Sequence, residues 1–231
     1  MPSSSLARCL ALSAALGACS GGVPIDFSVG PLGFDVDASR IVVPASLQTS
    51  GTIARAACSA TTACPTTTSG LTLRCVNGTC DPDPVTIDLA LSNVIDLTTY
   101  STELASLGGD LSAISLSSMA WQASAVGLRV PIGPIEVYWG PETASGLSSD
   151  GVRRLGSVPV IRFDAAGNAS GDVALDAAGN AALSTHLLSV SRRFRFFARA
   201  TVDLSPGGPL PAGRASVQVR MRVHAESNLL R

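Results

Sequence analysis

Two histidines, His186 and His224, are the only imidazole side chains in the sequence, so any imidazole acid–base chemistry depends on them. His186 lies in a leucine-rich stretch, and His224 falls on the polar side of an alternating segment. The sequence contains no Gly-x-Ser-x-Gly elbow, no His-Glu-x-x-His pair and no glycine-rich phosphate loop. We therefore predict no catalytic residues, and a hydrolase with a scattered serine site stays an alternative.

Arginines give the clearest charge pattern, near the end of the chain. Two segments in which polar and apolar residues alternate carry five of them: Arg193, Arg195, Arg199, Arg220 and Arg222. If the two segments pair as a hairpin with their apolar sides in the core, all five arginines share one exposed face. Carboxylates such as Asp203 and Glu226 are one way to offset this charge. Phosphate-bearing lipid or lipopolysaccharide is the other, because guanidinium groups pair well with phosphate oxygens.

Strands must position these side chains, because alternation with a period of two recurs along the chain. The pattern predicts strands around residues 25–29, 34–36, 85–92, 126–132 and 135–139, in addition to the two arginine segments. It places Trp139 in the core and Tyr138 outside. Residues 99–107 are the best candidate for a short helix. The fold class predicted is all-β: an antiparallel β-sandwich with little helix.

One hexapeptide, Asp-Ala-Ala-Gly-Asn-Ala, occurs twice, at residues 164–169 and again at 176–181. An aspartate at the first position of a turn and a glycine three residues later are typical of tight turns. We therefore predict that both copies form hairpin loops between strands.

A short apolar segment, residues 9–18, follows Arg8 and leads into Leu16-Gly17-Ala18-Cys19. The segment is too short to cross a bilayer, which needs about 20 apolar residues. The tetrapeptide resembles the lipobox of bacterial lipoproteins. In that family the thiol receives a diacylglyceryl group, the chain is cut before the cysteine, and the new amino terminus is usually acylated. The resemblance implies a covalent lipid at Cys19 as an anchor, and we predict no other cofactor and no metal.

The resemblance also predicts the organisation of the chain and its location. Residues 1–18 are the expected signal peptide, 19–24 a lipidated tether, and 25–231 one β-sandwich domain. Ser20 follows Cys19 where an aspartate marks inner-membrane retention in the family, so we expect the outer membrane. The formal net charge of −1 gives no reason to expect nucleic-acid binding. Expected partners are the membrane itself and an anionic lipid, an envelope polymer or a protein.

Four further cysteines lie close together in a segment rich in Thr, Ser and Ala: Cys58, Cys64, Cys75 and Cys80. Export would place them in an oxidising compartment, which favours two disulfides. Zinc is the competing hypothesis, but the first spacing is long for a structural site and no histidine is near. Among the three pairings, we favour Cys58 with Cys75 and Cys64 with Cys80. We predict a disulfide-stapled insert at residues 57–84 that projects between strands.

These observations favour a non-enzymatic, membrane-anchored envelope lipoprotein whose β-sandwich acts as a binding or structural module. The first alternative is a carrier or sensor that holds an apolar ligand between its sheets. The second is the hydrolase with a scattered site.

Overall fold

The computed structural model describes residues 23–66, 71–106, 111–189 and 191–227. The predicted signal peptide and Cys19 lie outside the described residues. Within these described ranges, thirteen strands and two α-helices follow in chain order: β1 Val23–Asp37, β2 Gln48–Thr49, β3 Thr52–Ile53, β4 Leu73–Val76, β5 Thr79–Pro82, β6 Val85–Asp96, α1 Thr102–Ser106, β7 Leu111–Val126, β8 Ile132–Pro141, β9 Arg153–Val158, β10 Asn168–Asp172, β11 Ala174–Leu175, α2 Ala177–Ser189, β12 Arg193–Val202 and β13 Arg214–Ser227. Short 3-10 turns cover Ala38–Arg40, Ala45–Leu47 and Leu97–Thr99.

Two antiparallel sheets form the sandwich. The four-stranded sheet has the order β1-β13-β7-β10, and the five-stranded sheet has the order β11-β9-β8-β12-β6. Two small hairpins, β2-β3 and β4-β5, lie outside these sheets. The chain is therefore an antiparallel all-β protein, as the alternating pattern predicts.

The core lies between the inner faces of the two sheets. Phe194 and Phe196 of β12 are fully buried, as are Val219 and Met221 of β13. Each buried side chain of this size contributes about 1.5–3 kcal/mol relative to exposure. Trp139 is also in the core, where its indole N–H donates to the Gly179 carbonyl at 3.0 Å, and Tyr138 is only partly buried on the other face of β8. The predicted orientation of this pair is confirmed.

The predicted pairing of the two arginine-bearing segments is wrong. β12 lies between β8 and β6 in the five-stranded sheet, whereas β13 lies between β1 and β7 in the four-stranded sheet. Both apolar faces still reach the core, because alternation determines which side of a strand is buried but not which strand lies beside it. The alternation also predicts Phe197 on the exposed side, between Arg195 and Arg199, but Phe197 is only 2% exposed.

Residues 126–132 are not one strand either. β7 ends at Val126, which is 73% exposed, and β8 begins at Ile132. By contrast, the segments predicted at 25–29 and 34–36 join into the single strand β1, with an irregularity in register between Val29 and Leu32. β1 begins at Val23, two residues before the predicted start of the domain.

The helices agree with the prediction at one position and contradict it at the other. The segment predicted at 99–107 contains α1, Thr102–Ser106. The second copy of the repeat, predicted to be a hairpin loop, instead forms the start of α2, whose Leu183 and Leu187 are buried in the core. A spacing of four residues brings these leucines to one side of the helix, and this side packs on the sandwich.

Candidate binding surfaces

The Cys-rich insert, residues 57–84, contains the β4-β5 hairpin and two disulfides. Cys58 bonds to Cys75 and Cys64 bonds to Cys80, which is the favoured pairing. The sulfur atoms of Cys58, Cys64 and Cys80 lie within 4.8 Å of one another. All three belong to disulfides, so they offer no thiolate to a metal in this state.

Residues 56–58 hold the β5 side of the hairpin as far as Gly78 in the turn, and the β4 side of the tip is exposed. The backbone N–H of Cys58 donates to Gly78 at 3.0 Å, and that of Cys80 donates to Ala56 at 2.8 Å. Cys58 and Cys80 are buried, whereas Val76 next to the Asn77-Gly78 turn is 42% exposed. A shallow surface cleft of about 260 Å³ lies beside the tip, and six residues line it: Arg55, Val76, Asn77, Thr79, Asp81 and Pro206. This tip was not predicted, although Asn77-Gly78 between β-forming residues is a hairpin signal in the sequence.

The five arginines do not share a face. Arg193, Arg195 and Arg199 lie on β12 in the five-stranded sheet, and Arg220 and Arg222 lie on β13 in the opposite sheet. The predicted single arginine face is therefore wrong. The physical reason is that β12 and β13 are not neighbours, so their outward sides point away from each other across the sandwich.

Carboxylates and a carbonyl accept hydrogen bonds from the arginines of β12. Arg199 donates to both carboxylate oxygens of Asp88, at 2.6 and 3.1 Å, and these bonds lower the pKa of Asp88. Arg193 lies 2.7 Å from Glu142 and 3.6 Å from Asp96, and Arg195 donates to the carbonyl of Glu142 at 2.7 Å. Internal carboxylates thus offset this charge, but they are not the Asp203 and Glu226 suggested by the sequence.

The arginines of β13 have a different environment on the outer face of the four-stranded sheet. Arg220 lies opposite Ala120 of β7, and Arg222 lies opposite Ser28 of β1 and Ser118 of β7. Within the described part of the chain, no carboxylate oxygen comes within salt-bridge distance, 4.0 Å, of either guanidinium. Both side chains are exposed.

His224 belongs to a small surface cluster that the sequence did not predict. Its Nδ1 lies 2.9 Å from Asp26 and its Nε2 lies 3.5 Å from Glu226. The hydrogen bonds with Asp26 and Glu226 raise the pKa of His224. Asp26 is 198 residues away in sequence, so no local pattern could indicate this contact.

His186 packs against an aromatic side chain of the core. Its ring stacks at a tilt on Trp139, with ring centroids 5.3 Å apart, and its Nε2 lies 3.0 Å from the Arg193 carbonyl. Both nitrogens of His224 face carboxylates, and the Nε2 of His186 faces a carbonyl. Among the described residues, no hydroxyl or thiol group forms a hydrogen bond with either imidazole, as nucleophilic catalysis with a histidine base would need.

Comparisons with known proteins leave the family open. No family model matches the chain, and no curated protein matches it. A solved structure from Desmodium yellow mottle tymovirus is similar at 10% identity, with a TM-score of 0.27, over 73% of this chain and 95% of that chain. One from turnip yellow mosaic virus is similar at 12% identity, with a TM-score of 0.22, over 72% of this chain and 92% of that chain. Scores this low carry no argument about function. None of the described helices is long and apolar enough to span a membrane.

Proposed function

We propose that this protein is a non-enzymatic envelope lipoprotein, anchored in the outer membrane by a lipid on Cys19, that binds another envelope component through its Cys-rich insert. The observation that carries the proposal is the exposed β4-β5 hairpin held by two disulfides. Fixing an exposed loop in one conformation lowers the entropy that is lost on binding. A preformed hairpin tip is therefore suited to contact with a partner.

The lipobox resemblance and the two disulfides together support the anchor. Disulfides persist in exported proteins, and export is what a lipobox implies. Val23 begins β1, so four peptide units separate it from Cys19. These units reach at most about 14 Å. A lipid on Cys19 would therefore keep the sandwich next to the headgroups.

The two alternative functions have less support. Side chains with at most 6% exposure fill the space between the sheets, among them Trp121, Trp139, Phe194, Phe196 and Met221. Such packing gives no positive support to a carrier of apolar ligands. The contacts of the two histidines give no support to a hydrolase.

Intact-mass measurement tests the anchor. The mature protein extracted from its own membrane should carry acyl mass at Cys19 and should lack the four protons of two disulfides. A Cys19→Ala variant should carry no acyl mass and should no longer be found in the membrane fraction. An unmodified Cys19 in the natural protein would overturn the anchor and the localisation together.

Site-specific photocrosslinking in cells tests the binding surface. A photoreactive amino acid replaces Val76 at the hairpin tip, and in the matched control it replaces Val160, which is 41% exposed against 42% for Val76. We expect a discrete crosslinked species from position 76 and none from position 160. Equal yields from the two positions, or no product from either, would contradict binding through the insert.

A further inference from the structure

We propose that Arg220 and Arg222 form a two-arginine clamp for one phosphate group, carried by a lipid headgroup of the membrane that holds the chain's own anchor. The inference deepens the proposed function and rests on it for the position of the anchor. The ligand class is a phosphate-bearing lipid, and the residues that bind it are these two arginines.

The first support is the placement of the two side chains. They lie two residues apart on the same outward side of β13, about 7 Å apart along the strand. Arginine side chains are long enough for both to reach one phosphate from that spacing. Each guanidinium group can donate two parallel hydrogen bonds to phosphate oxygens. The neighbouring residues Ala120, Ser118 and Ser28 are small, so they leave the guanidinium groups uncovered.

The second support is the contrast with the opposite sheet. Arg193 and Arg199 each have a carboxylate partner there. In the described part of the molecule Arg220 and Arg222 have none. Two like charges on one strand, with no internal counter-charge, favour an anion supplied from outside the chain.

The third support is the distribution of charge on the outer face, which limits the size of that anion. The Asp26, His224 and Glu226 cluster lies at one end, and Asp37 lies opposite Arg214 at the other. Asp172 lies across Ala120 from Arg220, and Asp35 lies opposite Ser216 on the same face. The positive region is therefore limited to the two arginines, with carboxylates around it. A single phosphate group fits such a region better than a long polyanion, which would meet the acidic ends.

Clefts beside the clamp provide room for a headgroup. Arg220 borders a cleft of about 130 Å³ together with Pro31 and Gln122. Arg222 borders one of about 420 Å³ together with Ser28, Ser117 and, at the end next to His224, the carboxylate of Asp26. The Ser117 hydroxyl donates to the Arg222 carbonyl at 3.2 Å, so the hydroxyl of Ser28 is the further donor for a phosphate oxygen.

The fourth support is the distance from the anchor. Ser28 lies opposite Arg222, five residues along β1 from Val23, which corresponds to about 17 Å. Cys19 lies at most about 14 Å before Val23. A bilayer that holds Cys19 is therefore within reach of the clamp. Because the net charge of the chain is −1, general attraction to an anionic surface does not explain such contact.

Arginine footprinting of the lipidated protein in nanodiscs tests the clamp. A dicarbonyl reagent labels exposed arginines, and mass spectrometry gives the rate at each one. The discs contain phosphatidylcholine alone, phosphatidylcholine with phosphatidic acid, or phosphatidylcholine with a carboxylate lipid of matched charge. Phosphatidylcholine also carries a phosphate, a diester neutralised by its own choline, so each labelling rate is compared with the rate for the protein in a phosphate-free detergent. We expect phosphatidic acid to slow labelling of Arg220 and Arg222 about tenfold, which corresponds to about nine-tenths occupancy. Arg193 and Arg199 in the same molecule should change less than about twofold.

Each other outcome overturns a stated part of the proposal. Equal slowing by the carboxylate lipid would exclude phosphate as the recognised group, and no slowing in any disc would exclude the clamp. If inorganic phosphate added to phosphatidylcholine discs protects the pair equally, the ligand is a free phosphate and not a headgroup. The acyl mass at Cys19 is measured on the same sample, so a missing anchor is distinguished from a clamp that does not bind.

Discussion

The two copies of Asp-Ala-Ala-Gly-Asn-Ala have the same sequence and different structures. The copy at residues 164–169 forms a tight turn that leads into β10. The copy at 176–181 forms the first turn and a half of α2. Six identical residues therefore specify how the segment begins, and the surroundings decide how it continues.

The aspartate has a similar role in both copies. Asp164 accepts backbone hydrogen bonds from Ala166 at 2.9 Å and Asn168 at 2.8 Å. Asp176 accepts one from Gly179 at 2.7 Å, in the manner of a helix N-cap. An aspartate whose carboxylate accepts hydrogen bonds from the backbone N–H groups that follow it is compatible with either a turn or a helix start.

The residues that follow each copy are what differ. Ser170, Gly171 and Asp172 follow the first copy, and all three are poor helix formers. An alanine- and leucine-rich run follows the second, and its Leu183 and Leu187 become buried. The comparison shows that a local turn signal is overridden when the next residues can bury an apolar helix face.

The largest expected loss of stability comes from replacing Gly179 of the second copy, and it should exceed the loss from replacing Gly167 of the first. A Cβ on Gly179 would lie 1.7 Å from the carbonyl oxygen of Arg154, so α2 could not keep its place against β9. We expect Gly179→Ala to lower the free energy of unfolding by at least about 3 kcal/mol. Gly167 has a φ of +79°, and a Cβ there would lie 2.8 Å from the Ala125 carbonyl oxygen. Gly167→Ala should therefore cost about 2 kcal/mol, less than the change at Gly179. Urea unfolding with the disulfides intact measures both, and a larger loss for Gly167→Ala would reverse the comparison.

Removing the buried face of α2 tests what makes the second copy helical. Leu183→Ala should reduce the free energy of unfolding by about 3 kcal/mol, because it leaves a cavity in the core. Leu188, on the same helix, is 41% exposed, so Leu188→Ala should change stability by less than about 0.5 kcal/mol. Thermal unfolding monitored by circular dichroism provides the comparison. Similar losses for the two variants would mean that core burial does not hold α2.

The two asparagines should differ by a smaller amount. The side chain of Asn180 donates to the carbonyl of Leu116 at 2.9 Å and accepts from its N–H at 3.2 Å, which joins α2 to β7. Asn180→Ala leaves both backbone groups unpaired and should cost about 2 kcal/mol. Asn168→Ala should cost less than about 0.5 kcal/mol, because the Asn168 contacts described above come from its backbone. Amide hydrogen exchange at Leu116 should accelerate only in the Asn180 variant. If the Leu116 amide stays protected in that variant, the Asn180 side chain does not hold α2 to β7.

The smallest expected effect concerns the aspartates, where the two copies should behave alike. Asp164→Ala and Asp176→Ala should each reduce stability by about 1 kcal/mol, the usual cost of a lost cap. Asparagine keeps an accepting oxygen, so the Asp→Asn variants should lose less than half of that. Chemical denaturation of the four variants provides the check. A difference of more than about 1 kcal/mol between the two copies would show that the aspartate itself helps to choose the structure.

Features that depend on neighbouring residues in the chain were predictable from the sequence, and contacts between distant residues were not. The buried sides of β1, β8, β12 and β13 were predicted correctly, because alternation reports burial residue by residue. The pairing of β12 with β13 was predicted wrongly, because the burial of one strand face does not determine which strand lies beside it. At the candidate surfaces the predicted disulfide pairing was correct. The predicted arginine face was wrong, because its five arginines lie on two opposite sheets.

The missed contacts share one cause. Asp88 pairs with Arg199 across 111 positions, and Asp26 meets His224 across 198. Neither pair has a local spacing that could reveal it. α2 was missed because a strong turn signal at its start resembled the genuine turn twelve residues earlier.

By itself, the sequence determined the all-β class, the inward and outward sides of the long strands, and the position of the Cys-rich insert. These properties depend on residue type and on spacings within one element, which the chain carries in any conformation. Only the tertiary structure decided which strands are neighbours, which arginines meet a carboxylate, and that the second copy of the repeat becomes a helix. These outcomes depend on side chains that are far apart in the chain, and folding alone brings them within contact distance.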